Sequence, residues 1–292
     1  MFYGSYVALI TPMFDSGEVD YASLAGLVEF HIQNNTHGIV AVGTTGESAT
    51  LPFTEHIKVI KFIVECTAGK IPVIAGSGAN ATDEAVFLTT EIEKLGVNGF
   101  LSVVPYYNKP QQAGLIAHFS AIADASDLPL MLYNVPSRTV LDMQTSTVAV
   151  LAKHPNIVGI KDATGDLNRL REMQALLPKD FLLFSGDDAT GCEFLNNGGH
   201  GVISVSANIV PEQMSTMCEY ALAGKFEKAK LIDDKLQTLH HKLFLEPNPV
   251  LPKWALYKMN KIKSPFLRLP LVLPELNQQT SIEQELKELG LI

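Results

Sequence analysis

Gly38-Ile39-Val40-Ala41-Val42, followed by Gly43-Thr44-Thr45-Gly46 and then by the amphipathic stretch His56–Glu65, is the unit whose repetition decides the fold. The apolar, largely β-branched run reads as a strand, the glycine-rich segment as a turn, and the 3.6-residue apolar period as a helix. The same order recurs at Tyr6–Thr11, Pro72–Ala75, Phe100–Val104, Leu130–Tyr133, Ile157–Lys161, Phe181–Ser185 and Val202–Val205, giving eight candidate strands. Near-continuous Val, Ile and Leu, instead of strict alternation, predicts strands covered on both faces and therefore a parallel sheet. Leu24–Ile32, Asp83–Leu95 and Val148–Lys153 read as intervening helices, with stops at Gly69, Gly96 and Pro155. Eight βα units predict an α/β fold of the closed (β/α)8 TIM-barrel type, with an open doubly wound sheet as the alternative.

After Pro211 no strand pattern recurs. Helices are predicted over Gln213–Ala223 and Phe226–Leu243, then a turn through Glu246-Pro247-Asn248-Pro249, then more helix to Ile292. This divides the chain into a barrel, residues 1–224, and a C-terminal helical extension, residues 225–292. No low-complexity tract or charge block separates them, so the extension is expected to pack on the barrel.

The 292 residues are 47% hydrophobic and 18% charged, enough apolar side chain for a large core. Their net charge of −9 opposes attraction to nucleic acid or anionic lipid. Cys66, Cys192 and Cys218 form no CxxC pair, which points to a reducing compartment without a disulfide framework. The first apolar run lacks a basic flank and is cut short by Pro12, so a soluble, cytoplasmic protein is expected.

Reactive groups of such a barrel sit where the strands end. Here those ends carry Thr44 and Thr45, Tyr106 and Tyr107, Tyr133 through Arg138, and Lys161-Asp162. Lys161 is unusual because Ile157-Val158-Gly159-Ile160 leads into it. Alternation puts Gly159 and Lys161 on one face, and Met131 and Tyr133 on one face of the neighbouring strand. If both faces point inward, amine and phenol meet. A lysine near pKa 10.4 is almost wholly protonated at neutral pH, and burial is what would free its amine to act as a nucleophile. Two readings stand: an imine-forming lysine, or one ion-paired to a carboxylate at the rim.

The Gly43-Thr44-Thr45-Gly46 turn offers hydroxyls and free backbone N–H groups for a carboxylate, or is simply a tight turn capping the next helix. Gly76-Ser77-Gly78-Ala79-Asn80-Ala81 fits a loose dinucleotide fingerprint but follows the third strand and runs into Asp83 and Glu84, which would repel a pyrophosphate. The usual phosphate positions after strands seven and eight hold Gly186-Asp187-Asp188 and Ser206-Ala207-Asn208, disfavouring phosphorylated substrates. His31, His56 and His118 read as helical and His200 precedes its strand, so no metal ligand set is expected.

Gly43-Thr44-Thr45-Gly46-Glu47-Ser48, Tyr133-Asn134-Val135-Pro136-Ser137-Arg138-Thr139, Gly159-Ile160-Lys161-Asp162-Ala163-Thr164 and Gly201-Val202-Ile203-Ser204-Val205, in this order and spacing, resemble the dihydrodipicolinate synthase family of pyruvate-dependent class I aldolases. The likeness extends over essentially the whole chain, including Glu246-Pro247-Asn248-Pro249 and Lys253-Trp254-Ala255. It implies a lyase of lysine (diaminopimelate) biosynthesis that condenses pyruvate with L-aspartate 4-semialdehyde and needs no cofactor or metal.

Residue by residue, the resemblance implies that Lys161 forms the imine with pyruvate, and that Tyr133 relays protons with Thr44 and with Tyr107 of a neighbouring subunit. Thr45 and the backbone at Ile203 would hold the pyruvate carboxylate, with Gly186 also at the substrate site. Arg138 would take the aldehyde's carboxylate, a task that suits a guanidinium. The resemblance also implies a homo-oligomer, a tetramer built as a dimer of dimers. The family's pocket for the effector L-lysine has counterparts in Ser48, Ala49, His56, Asn80, Glu84 and Tyr106, whereas Phe53 departs from the polar side chain of lysine-sensitive members. Against this reading stand a sister aldolase acting on sialic acid or a 2-keto-3-deoxy sugar acid, which Arg138 and the Thr44-Thr45 pair disfavour, and a non-catalytic sensor barrel, which the intact Lys161, Tyr133 and Thr44 disfavour.

Overall fold

The computed structural model describes residues 2–292; position 1, the first of the barrel unit, lies outside the described residues. Eight parallel strands, β1 (Gly4–Ala8), β2 (Gly38–Ala41), β3 (Val73–Gly76), β4 (Gly99–Val103), β5 (Leu130–Asn134), β6 (Ile157–Asp162), β7 (Leu182–Ser185) and β8 (Gly201–Ser204), succeed one another around a closed barrel. The ring is sealed by β8 pairing with β1, which removes the open doubly wound alternative. Helices α1 (Tyr21–Gln33), α2 (Phe53–Thr67), α3 (Thr82–Glu93), α4 (Gln112–Asp124), α5 (Pro136–Thr139), α6 (Thr145–Leu151), α7 (Leu167–Leu176), α8 (Gly191–Asn196) and α9 (Pro211–Leu222) return the chain between strands or cover the last one. They are followed by α10 (Phe226–Lys242), α11 (Val250–Lys258) and α12 (Leu276–Glu288).

Two apolar layers hold this together. Outer strand faces and the helices bury one, which includes Val7, Ile39, Leu132 and Ile160 with Leu24, Ile60 and Phe119. The other fills the barrel itself with Tyr6, Val40, Ile74, Leu101, Met131, Tyr133, Leu182, Phe184 and Ile203. Tyr6 meets Phe184 edge to face at 5.7 Å, and Gly38 is needed opposite, since a Cβ there would lie 2.1 Å from the Tyr6 ring. A packed interior leaves room for chemistry only at the open end.

Two expectations need correction. The first strand begins at Gly4 and ends at Ala8, although Leu9–Thr11 are also buried. Leu9 N–H still donates to Val40 O, but Ile10 N–H turns to the Asn208 side chain, so the run has left the ladder. Residues 259–275 are not helical. Pro265, Pro270 and Pro274 remove donors and clash with a helical turn, and the segment is instead fixed by side chains: Lys253 donates to Phe266 O, and Arg268 clasps Glu55 and the carbonyls of Gly17 and Thr50.

Candidate active site

β5 and β6 deliver the central pair. A register shift beyond Leu130 sets Met131 opposite Gly159 and Tyr133 opposite Lys161, so the alternation expected from sequence brings both side chains inward on adjacent strands. Lys161 Nζ lies 4.3 Å from the centroid of the Tyr133 ring. The next residue, Asp162, faces the other way and is ion-paired to Arg169 at 2.7 Å. The nearest carboxylate in sequence is therefore engaged elsewhere, and Lys161 has no salt bridge among the described residues. A rim ion pair is not what the chain builds.

Burial brings the Lys161 ammonium down from its ordinary 10.5 to about 7; the Asp188 carboxylate opposes this and the Arg138 guanidinium adds to it. That fall corresponds, at about 1.36 kcal/mol per pH unit, to about 5 kcal/mol in favour of the amine. Burial also raises the Tyr133 phenol, while Arg138 and the neighbouring Thr44 hydroxyl pull it back. Gly186 closes against the lysine stem: a Cβ there would meet Lys161 Cε at 2.6 Å.

Thr44 and Thr45 come from the turn after β2, bracketed by two left-handed residues, Val42 at φ 52° and Glu47 at φ 60°. For a β-branched residue this backbone is strained, and Val42 is held in it by full burial. Gly46, Glu47 and Ser48 return their N–H groups to the carbonyls of Gly43 and Thr44, so fewer are free for an anion than the glycine content suggested. The turn then leads into a single 3₁₀ turn, Ser48–Thr50, and not yet into the helix. Glu47 is pinned by Lys253 and by Arg268 N–H, both from the far end of the chain.

A cavity of about 500 Å³ opens here, with Lys161, Tyr133, Thr44, Thr45, Gly186 and Arg138 on its walls. Arg138 stands on α5 at the mouth and donates to Asn248 O at 3.2 Å. Asn248 Nδ2 in turn donates to Thr45 Oγ1 at 2.9 Å. Ile203 is buried in the barrel interior, beside Tyr6, and off the cavity wall. Tyr107 is also off it, 91% exposed on the loop after β4 with φ 74°.

A second cavity, about 480 Å³, gathers Ser48, Ala49, His56, Glu84 and Tyr106, with Phe53 in its wall stacked on Phe87. Asn80 does not line it; its carbonyl accepts from Asn108. His56 Nε2 lies 2.8 Å from Gly76 O, to which it donates, and burial lowers the histidine's pKa. A void of about 30 Å³ between the cavities touches Thr44 and Tyr133 on one side and Ser48 and His56 on the other.

Sequence reading missed two participants. Asn248 was legible only as part of a proline-rich turn, because its partner Thr45 lies 203 residues away. Asp188, buried, accepts from the N–H groups of Val205 and Ser206 at 2.9 Å each, tying the β7 exit to the β8 exit beside the lysine. Asp187 caps the next turn through Thr190. Among the described residues no group of three or more His, Cys, Asp or Glu converges, the three cysteines are unpaired, and no helix is long and apolar enough to cross a membrane.

Residues 1–289 match the Dihydrodipicolinate synthetase family. A 4-hydroxy-tetrahydrodipicolinate synthase of Pseudoalteromonas atlantica is 66% identical over 292 residues, covering all of both chains. The solved dihydrodipicolinate synthase of Acinetobacter baumannii complexed with pyruvate is 47% identical, with TM-score 0.98 and full coverage of both chains. A lysine-bound DHDPS from Cyanidioschyzon merolae is 39% identical at TM-score 0.95, covering 100% of this chain and 99% of that one. With the barrel, the inward lysine and tyrosine, and a match running nearly end to end, the chain belongs to the dihydrodipicolinate synthetase family.

Proposed function

We infer that the chain condenses pyruvate with L-aspartate 4-semialdehyde to 4-hydroxy-tetrahydrodipicolinate, the reaction of its relatives, in lysine biosynthesis by the diaminopimelate route. The carrying observation is Lys161: a buried amine at about pKa 7, without an ion pair, against the ring of Tyr133. The neutral amine attacks pyruvate C2, and loss of water gives an iminium that draws electrons from C3. Removal of a C3 proton yields the enamine, whose carbon adds to the aldehyde. The aldehyde substrate's own amine then attacks C2, displacing Lys161 and closing the ring.

Tyr133 carries protons in these steps, with Thr44 as its hydrogen-bond partner. Thr45 and the backbone at Ile203 hold the pyruvate carboxylate, Gly186 leaves room for the lysine stem, and Arg138 receives the aldehyde's carboxylate at the mouth. Tyr107, exposed and off the wall of its own cavity, completes the relay of a neighbouring subunit, in a dimer of dimers. Its three unpaired thiols suit the cytoplasm.

Borohydride reduction with pyruvate present, followed by peptide mass analysis, tests this reading. A single adduct on Lys161 supports it, and no adduct, or one on another lysine, ends it. The second cavity fits a free amino acid, with Glu84 available to the α-ammonium, so L-lysine is its proposed effector. Phe53 narrows the polar character of that wall. Titration with L-lysine to millimolar is expected to lower activity, and a flat response removes the effector.

A further inference from the structure

We propose that Asn248, supplied from beyond the barrel, is a positioning residue that aims the Thr45 hydroxyl proton at the keto-acid carboxylate. This rests on the reading that gives Thr45 that carboxylate. A threonine hydroxyl has one proton and two lone pairs. When Asn248 Nδ2 donates to Thr45 Oγ1 at 2.9 Å, one lone pair is occupied and the proton stays free to point into the cavity. The two residues are 6% and 2% exposed, so bulk water does not compete for the bond. The chain N–H to O–H to carboxylate runs in one sense, and each link polarises the next.

Two further features fit this role. Asn248 Oδ1 is buried without a partner among the described residues, so the amide keeps its orientation through its nitrogen alone. A polar side chain left half-satisfied in a cavity wall is costly, and an apolar residue of similar size would avoid that cost if only packing were at stake. The backbone carbonyl of the same residue accepts from Arg138 Nη2 at 3.2 Å. One residue thus reaches both groups assigned to substrate carboxylates, the side chain toward pyruvate and the main chain toward the aldehyde.

That division makes the proposal testable by steady-state kinetics on the full-length chain. Asn248→Ala is expected to raise the KM for pyruvate about 10-fold, with the KM for the aldehyde changed less than about twofold, because the carbonyl at Arg138 remains. In a Thr45→Val background the same change is expected to have no further effect on pyruvate. Asn248→Asp, nearly isosteric, can accept but not donate; it captures the Thr45 proton, sets a negative charge near the site and raises the pyruvate KM about 100-fold. It carries the test if the truncation does not fold. A pyruvate KM unchanged in both Asn248 variants, equal losses for both substrates, or full additivity with Thr45→Val overturns the proposal. If Thr45→Val alone leaves the pyruvate KM unchanged, it is the assignment of Thr45 that falls, and the role of Asn248 with it.

Discussion

Lys161 and Lys253 are both buried, both drawn below the ordinary lysine range by burial, and both within the influence of a carboxylate, yet their contacts differ. Lys253 touches its carboxylate directly: Nζ donates to Glu47 and to Phe266 O, and the pair locks the turn of Thr44 and Thr45 to α11. Lys161 has Asp188 only at a distance and a phenol ring beneath it. Burial alone, then, does not make a lysine reactive. Burial without a direct partner leaves the proton loosely held, whereas burial with one turns the same side chain into a structural tie.

The sharpest way to break this comparison is Lys161→Met. Turnover is expected to fall on the order of 10⁴-fold or more, since the proposed imine then loses the amine it forms on. Stability moves the other way. The folded pKa of Lys161 lies below its unfolded value, so between about pH 7 and pH 10.5 the unfolded chain binds more protons and the wild type gains stability as pH rises. Below about pH 7 the penalty is fully present. The variant is therefore expected to be more stable by about 1–3 kcal/mol at pH 7 and to show a smaller difference at pH 10, as read from denaturant melts.

Next in size, Lys253→Met is expected to cost about 3–5 kcal/mol, because it strands Glu47 in the interior, and a double replacement with Glu47→Met should recover most of it. Recovery that fails would mean the two lysines differ less than their contacts indicate. Tyr133→Phe is expected to lower kcat by about 10²-fold while borohydride still traps pyruvate on Lys161; near-native turnover would take the phenol out of the relay. The smallest effect is the pH profile. kcat/KM for pyruvate is expected to climb about tenfold per unit below pH 7 and level off above it, as the ammonium of the free enzyme gives way to the amine. A profile that keeps rising to pH 10 would put Lys161 back among ordinary lysines.

The barrel was legible because each strand is a short β-branched run followed by punctuation, and period-two alternation put Lys161 on one face with Gly159 and Tyr133 on one face with Met131; that both faces point inward, and that a register shift beyond Leu130 sets the two residues opposite, was not encoded in either run. The relations that build the mouth were not legible either. Asn248 meets Thr45 across 203 residues and Lys253 meets Glu47 across 206, and no local period encodes such pairings. The sequence also led to helix through 259–275, where prolines and the clasp of Arg268 draw the chain across the barrel end. At the second cavity, residue types were readable but convergence was not, so Asn80 proved to belong to a different set of contacts.

The bare backbone of Gly186 against the Lys161 stem has a consequence for timing. A free lysine side chain explores many rotamers, and confining it costs about 2 kcal/mol. Here its methylenes are wedged between strand ends before any substrate arrives, with too little space for even one added methyl. That entropy is surrendered once, during folding, instead of each time a ligand enters the cavity. Gly186→Ala is thus a substitution of a single methyl that would loosen or displace the Lys161 amine without touching its chemistry.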